Sequence, residues 1–415
     1  MRLIDQTGKP TLTTQSPPVP AKRPRDIRLD VFRGLCLVII FVAHIWNNAW
    51  AAWIPARFGF SDATEIFVFC SGMASAIAFG GSYRVHGFLI GTARVAFRCW
   101  QVYWSHIGVL LVSAALMISV DAWLGTGRSY IDGLGLAPLL DASAPQAIVG
   151  LLTLRWVPHY FDILPMYLVV LCMLPIVMAL SRFGKAHIAA FVALTWLCAS
   201  FGLLALPAEP WTSREWFFDP FAWQLVFFTG FAFMSGWLPA PPVDKRAVKA
   251  AIAIVLLSIP FAWAPLNDSF TFLQDARAAL APLTDKTRFG VLRFVHFLAL
   301  AYLAFVTAGE AGRNLRGPVA ELLRQLGQQS LAIFMSGLVL SFVASTVLNL
   351  LGRNIWSVPL VNLGGIALLI GIARATAFFK SAPWSKPAHT KAASKETNVP
   401  SNSAIAAHSP AATAS

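Results

Sequence analysis

The sequence predicts an all-α integral membrane protein, a polytopic bundle of about ten transmembrane helices. Its 415 residues are 57% hydrophobic and only 12% charged, whereas soluble domains carry about 25% charged residues. Many of its apolar runs are long enough to cross a hydrocarbon core about 30 Å thick. The connections predicted to face the cytoplasm are all basic, which is the positive-inside pattern of membrane proteins. These observations together favour one membrane domain over several soluble ones.

Hydropathy predicts the individual spans. The second is the shortest, and the fourth contains Pro165 and Pro175. The stretch 146–154 is predicted to dip into the membrane without crossing it. The ten predicted spans are 31–51, 64–80, 97–120, 160–180, 186–206, 220–238, 248–266, 290–308, 329–350 and 357–378.

Charge sets the expected orientation and domain limits. A cytoplasmic N-terminus puts most of the 32 Lys and Arg residues inside and most of the 19 acidic residues outside. An even number of spans then returns the C-terminus to the cytoplasm. Residues 1–27 are predicted to form a basic, Pro-rich disordered leader, 28–380 the membrane domain and 381–415 a disordered tail. The leader has no cleavable signal, so the first span is expected to be an uncleaved signal anchor.

Composition also argues against several other functions. Basic inner connections account for the net charge of +13, so no nucleic-acid partner is expected. The five cysteines form no CxxC pair, and neither a disulfide framework nor a metal site is expected. The sequence contains no Gly-rich phosphate loop, no GxSxG elbow and no HExxH motif.

The first predicted span, "RLDVFRGLCLVIIFVAHIW", contains an arginine and a histidine. Eleven residues separate Arg33 from His44, which corresponds to about 16 Å along a helix and nearly one face. Asp30 lies three residues before Arg33 and can pair with it. Arg33 alone could be an interfacial anchor, but an imidazole inside a span usually faces a cavity.

Three other predicted spans begin on the outer side with ionisable pairs. The i,i+3 spacing turns both members of a pair to one side of the helix. We therefore expect these pairs to meet near the level of His44, although any single pair could be a solvated helix end. The pairs are Asp62 with Glu65, His159 with Asp162, and Arg293 with His296.

These residue types fit a reaction in which a hydroxyl is deprotonated and a phosphorylated donor is bound. Histidine held by a carboxylate is a common general base for a hydroxyl. Arginine binds phosphate, and Arg28, Arg33 and Arg98 lie near the predicted cytoplasmic mouth. A long donor such as acyl-CoA could hold its phosphates there and present its reactive end near His44. Tryptophans at the outer helix ends could stack on a sugar acceptor.

Several segments resemble the OpgC-type periplasmic-glucan succinyltransferases, a branch of the membrane acyltransferases. They are "RDIRLDVFRGL", "FVAHIWNN", "FGFSDATEIFVFCSG", "HYFDILPMYLVVL", "DPFAWQLVFFTG", "RFVHFLALAYL" and "GQQSLAIF". Arg33 and His44 reproduce the Arg-x10-His signature of the wider superfamily. The resemblance implies that His44 is the catalytic histidine and that Arg33 acts on the CoA side. Cys70 and Met73 depart from the expected pattern.

The resemblance gives the other motif residues no individual roles. Those that match family motif positions are Asp62, Glu65, Asp162 and His296. The resemblance also implies a multi-pass protein of the bacterial inner membrane, with acyl-CoA as co-substrate and a periplasmic glucan as acceptor.

The expected function is O-acyl transfer, with succinyl from succinyl-CoA the expected group. In direct transfer, His44 would deprotonate the sugar hydroxyl while Asp62 or Glu65 orients the imidazole ring. In a two-step reaction, His44 would itself carry the acyl group. The sequence is compatible with both routes. Arg28 and Arg98 are expected to help Arg33 bind CoA. The alternatives are a transporter that uses the buried groups as a proton relay, for which no inverted repeat is visible, and a non-catalytic scaffold.

The acceptor is expected to contact the remaining ionisable residues of the outer end, namely His159, Asp162, Arg293 and His296. Arg293 or Arg155 could receive a succinyl carboxylate. An acetyl donor, the identity of the glucan and the oligomeric state stay open at this stage.

Overall fold

The computed structural model describes residues 26–124 and 129–385. This part of the chain is helical and contains no β-strand. The predicted leader and tail lie outside the described residues except at their inner edges. The helices are α1 Ile27–His44, α2 Ala63–Ser75, α3 Gly81–Leu124, α4 Tyr130–Leu134, α5 Ala144–Leu152, α6 Ile163–Leu180, α7 Lys185–Ser200, α8 Pro220–Met234, α9 Lys245–Ala262, α10 Ala264–Asn267, α11 Thr271–Thr284, α12 Val291–Ala308, α13 Pro318–Gln328, α14 Ser330–Leu351 and α15 Ser357–Lys380.

The described helices confirm an all-α protein able to span a membrane. Five helical stretches are long and apolar enough to cross one, and two shorter apolar helices, α7 and α8, accompany them. Each of the ten predicted spans overlaps a helix, while the number that cross a membrane stays a prediction. The five stretches are Ala63–Leu124, Ile163–Leu180, Val291–Ala308, Ser330–Leu351 and Ser357–Lys380.

The first predicted span extends too far, because α1 ends at His44 instead of continuing to residue 51. The amide of Asn48 donates to the carbonyl of Val42 at 3.1 Å, which satisfies a backbone group that the helix end leaves free. Asn48 and Asn362 also exchange hydrogen bonds of 2.8 and 3.1 Å between their buried side chains. The chain therefore turns directly after His44.

Other boundaries also differ from the prediction. The helix expected at 97–120 begins earlier: α3 runs from Gly81 to Leu124 with a kink at Gly87, and a π-helical turn, Ala76–Gly80, joins it to α2. The stretch 146–154 forms the short helix α5. Hydropathy missed α11 and α13, because both are amphipathic and only weakly hydrophobic overall.

Two close helix crossings depend on glycine. A methyl group at Gly34 of α1 would lie 1.8 Å from the carbonyl oxygen of Leu323 in α13. A methyl group at Gly72 of α2 would lie 1.9 Å from the carbonyl oxygen of Phe227 in α8. Small residues allow such close backbone approach between membrane helices. These crossings fix α1, which ends at His44, and α2, whose N-cap is Asp62.

Substitution of Gly72 by alanine tests the crossing of α2 and α8. The added methyl group must push α8 away, so we expect a loss of about 1–3 kcal/mol in stability. Melting of the detergent-solubilised protein, followed by size-exclusion chromatography, measures the change. Gly108→Ala in α3 is the control, because nothing lies within 4 Å of the added methyl group. Equal melting of both variants would contradict the close crossing.

Candidate functional site

A cavity of about 960 Å³ opens at the end of the bundle that carries His44. We call it the His44 cavity. The C-terminus of α1, the start of α2 and the loops before α6, α8 and α12 all contribute to its wall. The ionisable residues that line it are His44, Arg57, Asp62, His159, Asp162, Arg214, Glu215, Lys286 and Arg288.

His44 is the last residue of α1 and is half-buried in the cavity wall. Its Nδ1 lies 2.7 Å from the carbonyl oxygen of Ile40. A carbonyl only accepts hydrogen bonds, so Nδ1 carries the proton in the neutral ring and Nε2 has the free lone pair. The expected orienting carboxylate is replaced by this backbone carbonyl. Asp62 shares the cavity with His44, but neither it nor Glu65 makes a hydrogen bond to the ring in the described structure.

Asp62 and Glu65 form a capping box at the start of α2. The Asp62 side chain accepts from the amide of Thr64 at 2.7 Å, and the Glu65 side chain accepts from the amide of Asp62 at 2.8 Å. This arrangement explains their i,i+3 spacing. The D-x-x-E pattern before an apolar run is the sequence signal of such a capping box.

Two cations complete a four-charge network at this helix end. Lys286 Nζ lies 2.5 Å from Asp62 Oδ2, and Arg293 donates to Glu65 Oε1 from Nε at 2.8 Å and from Nη2 at 2.5 Å. Arg293 Nη2 is also 3.7 Å from Asp62. Burial alone raises the pKa of Asp62, but Lys286 and Arg293 outweigh it and hold the pKa below its usual range. Glu65 is fully buried, so Arg293 neutralises a charge that water cannot reach.

Arg293 and His296 do not line the His44 cavity, contrary to the expected arrangement. Arg293 is occupied by the carboxylates of α2, as described above. His296 Nδ1 lies 2.7 Å from the hydroxyl of Ser61 and 3.3 Å from its amide. Their contact with substrate stays a prediction. Both residues instead connect α12 to the chain that leads into α2.

His159 and Asp162 do line the cavity, as their predicted level suggests. Asp162 is buried, accepts from the amide of Phe217 at 3.2 Å, and its pKa is raised to about 6 by that burial. Partial burial lowers the pKa of His159, and the positive charge of Arg214 lowers it further. Both shifts favour the uncharged form of the side chain, through burial at Asp162 and through partial burial and the charge of Arg214 at His159.

Sequence reasoning missed the cavity residues that come from loops. Tyr160 contacts the His44 ring edge-on, with centroids 5.7 Å apart. Its backbone φ of 74° lies in the left-handed region, which a bulky residue rarely adopts. Residues in such strained conformations cluster at active sites and ligand-binding sites. Lys286 and Arg57 lie outside the predicted spans. Tyr160 stands beside His159 in the quoted "HYFDILP" segment, which was the only available signal.

The arginines expected to bind CoA lie in different environments at the other end of α1. The Arg33 guanidinium contacts the Ser330 hydroxyl at the start of α14. Lys380 donates to the neighbouring Gln329 at 2.7 Å. Arg98 is half-buried and close enough to Lys380 for their charges to interact. We call Arg33, Arg98 and Lys380 the Arg33 cluster.

Arg28 is separate from this cluster because other groups hold its guanidinium. It forms an ion pair with Asp26 at 2.7 Å and stacks over the Phe305 ring at 5.3 Å. Asp26 is also the N-cap of α1. These contacts give Arg28 a role at the helix start, and its expected contact with CoA stays a prediction.

Two phenylalanines separate the Arg33 cluster from the His44 cavity. Phe67 of α2 and Phe334 of α14 stack with centroids 5.5 Å apart, and both line the cavity. Phe334 lies one helical turn beyond Ser330, the contact of Arg33. Neither Arg33 nor Arg98 lines the cavity. The stacked rings therefore form a floor between the two ends of the polar site.

The described fold and site define a helical membrane protein with a histidine-containing cavity at one end and a basic cluster beyond its floor. Within the described residues, no group of three or more His, Cys, Asp or Glu side chains is arranged to hold a metal ion.

The chain belongs to the OpgC family, because the family model described as "OpgC protein" matches residues 25–381. This membership indicates a membrane enzyme of the acyltransferase type that acts on glucans, and it does not favour the transporter alternative. No curated protein and no solved structure matches the chain.

The buried pair of Glu65 and Arg293 yields a test of its structural role. Arg293→Met leaves the Glu65 carboxylate buried without its partner, which should cost about 3–5 kcal/mol in stability. Adding Glu65→Gln removes that charge and should recover most of the loss. Thermal melting of the two single variants and the double variant measures this coupling. Additive losses would show that the pair does not act as a unit.

Proposed function

We propose that this protein is an inner-membrane O-acyltransferase that moves succinyl from cytoplasmic succinyl-CoA to a hydroxyl of a periplasmic glucan. The observation that carries the proposal is the orientation of His44. Its Nδ1 is held by the Ile40 carbonyl, so Nε2 is the nitrogen available to the cavity. Family membership supports the reaction class, and the geometry of the site supports the assignment of His44.

Direct transfer needs only a base at Nε2. The sugar O–H bond breaks as its proton moves to Nε2, and the sugar oxygen forms a bond to the thioester carbonyl carbon. The C–S bond then breaks, and the leaving CoA thiolate takes the proton from Nε2, which restores the neutral ring. A two-step route through an acyl group on Nε2 uses the same orientation of the ring. In both routes the Ile40 carbonyl stabilises the protonated Nδ1 as positive charge develops on the ring.

The donor is proposed to bind from the Arg33 end. Arg33 contacts Ser330, the first residue of α14, Lys380 contacts the preceding Gln329, and Arg98 adds a third positive charge nearby. Such a cluster suits the phosphates of CoA, since arginine pairs with phosphate in a bidentate way. The helix separates Arg33 from His44 by about 16 Å, a span that the pantetheine arm would cover. The thioester would then pass the stacked rings of Phe67 and Phe334.

The acceptor is proposed to bind in the His44 cavity. Its volume of 960 Å³ is at the upper end of small-molecule sites, which are about 300–1,000 Å³. The cavity offers Tyr160 as an apolar ring face, together with charged and hydroxyl groups that suit a sugar. The glucan would therefore reach His44 from the side opposite the donor.

Substitution of His44 by alanine tests the proposed base. We expect the rate of glucan acylation to fall by about 10²–10⁴-fold, the usual contribution of general-base catalysis. Mass spectrometry of periplasmic glucans from a deletion strain, rescued at equal membrane levels, measures the product. A gain of one succinyl group per modified sugar with wild type supports a succinyl donor, and an acetyl gain identifies acetyl instead. His187→Ala in α7 serves as the control. Normal acylation by the His44 variant would refute its catalytic role.

The proposed direction of transfer requires a defined topology. A fluorescent reporter at the C-terminus should be active, because it should remain in the cytoplasm. Alkaline phosphatase fused after Ser269, between α10 and α11, should also be active, because this enzyme works only in the periplasm and the connection is expected to lie there. Both reporters are tested at both sites in whole cells. Each reporter should lose its activity when it is moved to the other site. The reverse pattern would place the His44 cavity on the cytoplasmic side.

A further inference from the structure

Three of the four cations that line the His44 cavity already have carboxylate partners. Lys286 pairs with Asp62 at 2.5 Å, Arg214 with Glu209 at 3.1 Å and Arg288 with Glu215 at 3.6 Å. These pairs neutralise most of the positive charge that the cavity would otherwise present to a substrate.

Arg57 is the fourth cation and differs from the others. It ends the short 3-10 turn Pro55–Arg57, and its exposed side chain lines the cavity beside Ile54 and Ala56. Its Nε donates to the carbonyl of Ala51 at 3.2 Å, which fixes the guanidinium. Among the described residues, no carboxylate forms an ion pair with it. Its two terminal amino groups are therefore available to a ligand.

The remaining carboxylate of the cavity does not neutralise Arg57. Asp162 is buried, accepts from the amide of Phe217 and forms no ion pair with Arg57. Its raised pKa of about 6 also reduces its negative charge in mildly acidic solution. The cavity thus has an uncompensated positive charge at Arg57, and such a charge attracts an anion into a partly enclosed site.

We propose that Arg57 binds a carboxylate or similar oxyanion carried by a substrate in the His44 cavity. This inference rests on the proposed acyl transfer and deepens it by making Arg57 a specificity-determining residue. The anion has two chemical sources. It is either the free carboxylate of a dicarboxylic acyl group or an anionic substituent on the glucan.

The contacts favour Arg57 over the two arginines expected from the sequence. Arg293 is bound to Glu65 and lies outside the cavity lining. Arg155 is exposed and also lies outside that lining. Guanidinium pairs with a carboxylate through two parallel hydrogen bonds, and Arg57 retains the terminal groups that this geometry requires.

The test uses the full-length protein in liposomes with four substrate combinations. Succinyl-CoA and acetyl-CoA are each offered with a neutral glucan and with a carboxylated glucan. The variants are Arg57→Gln and Arg57→Lys, and Arg277→Gln is the control that removes a positive charge outside the cavity. Mass spectrometry of the products gives kcat/KM for each combination.

Loss of a charge-assisted hydrogen bond should lower kcat/KM of Arg57→Gln by about 10- to 100-fold for the anionic substrate, with partial recovery in Arg57→Lys. If the acyl carboxylate is the ligand, succinyl transfer falls on both glucans and acetyl transfer is unchanged. If the glucan is the ligand, transfer to the carboxylated glucan falls with both donors. An equal change in all four combinations, or none, overturns the inference.

Binding of free succinate separates this inference from the proposed function. Isothermal titration should show weaker succinate binding to Arg57→Gln than to wild type and to Arg277→Gln. If wild type transfers no acyl group but binds succinate through Arg57, the proposed function fails while the anion site stands. If wild type, Arg57→Gln and Arg277→Gln bind succinate equally and transfer acyl groups at the same rate, the anion site at Arg57 is refuted while the proposed function stands.

Discussion

The termination of α1 at His44 is the constraint on which the rest of the site depends. A helix continuing to residue 51 would carry the chain past the cavity wall. Instead, Asn48 satisfies the carbonyl of Val42 and exchanges hydrogen bonds with Asn362 of α15. Both amides are buried, and buried polar groups stabilise a fold only when they are paired. This pair places the histidine at a helix end, where its ring can face a cavity, and leaves the next residues to bring Arg57 to the same wall.

The buried charges divide into those that support the fold and those that remain accessible. Arg293 neutralises the fully buried Glu65 and thereby joins α12 to α2. Lys286 connects the loop before α12 to Asp62, and it also faces the cavity and lies over the Phe218 ring at 5.4 Å. The start of α2 therefore holds α12 in place through Arg293 and positions part of the cavity wall through Lys286.

The sequence was sufficient to predict the strongly apolar helices, including α1, but not the amphipathic helices α11 and α13. The spacing of Arg33 and His44 requires one continuous helix, which α1 provides. The spacing of Asp62 and Glu65 correctly indicated that they lie together, but a capping box and a catalytic pair have the same spacing. Only tertiary contacts distinguish the two interpretations. Lys286 reaches Asp62 across 224 residues of sequence, and no local pattern contains that information.

The stacked rings of Phe67 and Phe334 have a consequence for the energetics of the cell. A protein that joins reactants from opposite sides of a membrane offers protons and ions a polar route between the Arg33 cluster and the His44 cavity. Such a route would discharge the transmembrane ion gradient at every moment between turnovers. In the proposed topology, the stacked rings would place an apolar layer across that route and would limit leakage of ions through the resting protein. In the proposed reaction, the thin arm of the donor would itself fill the passage while the rings are apart, and transport of the acyl group would not require an open pore.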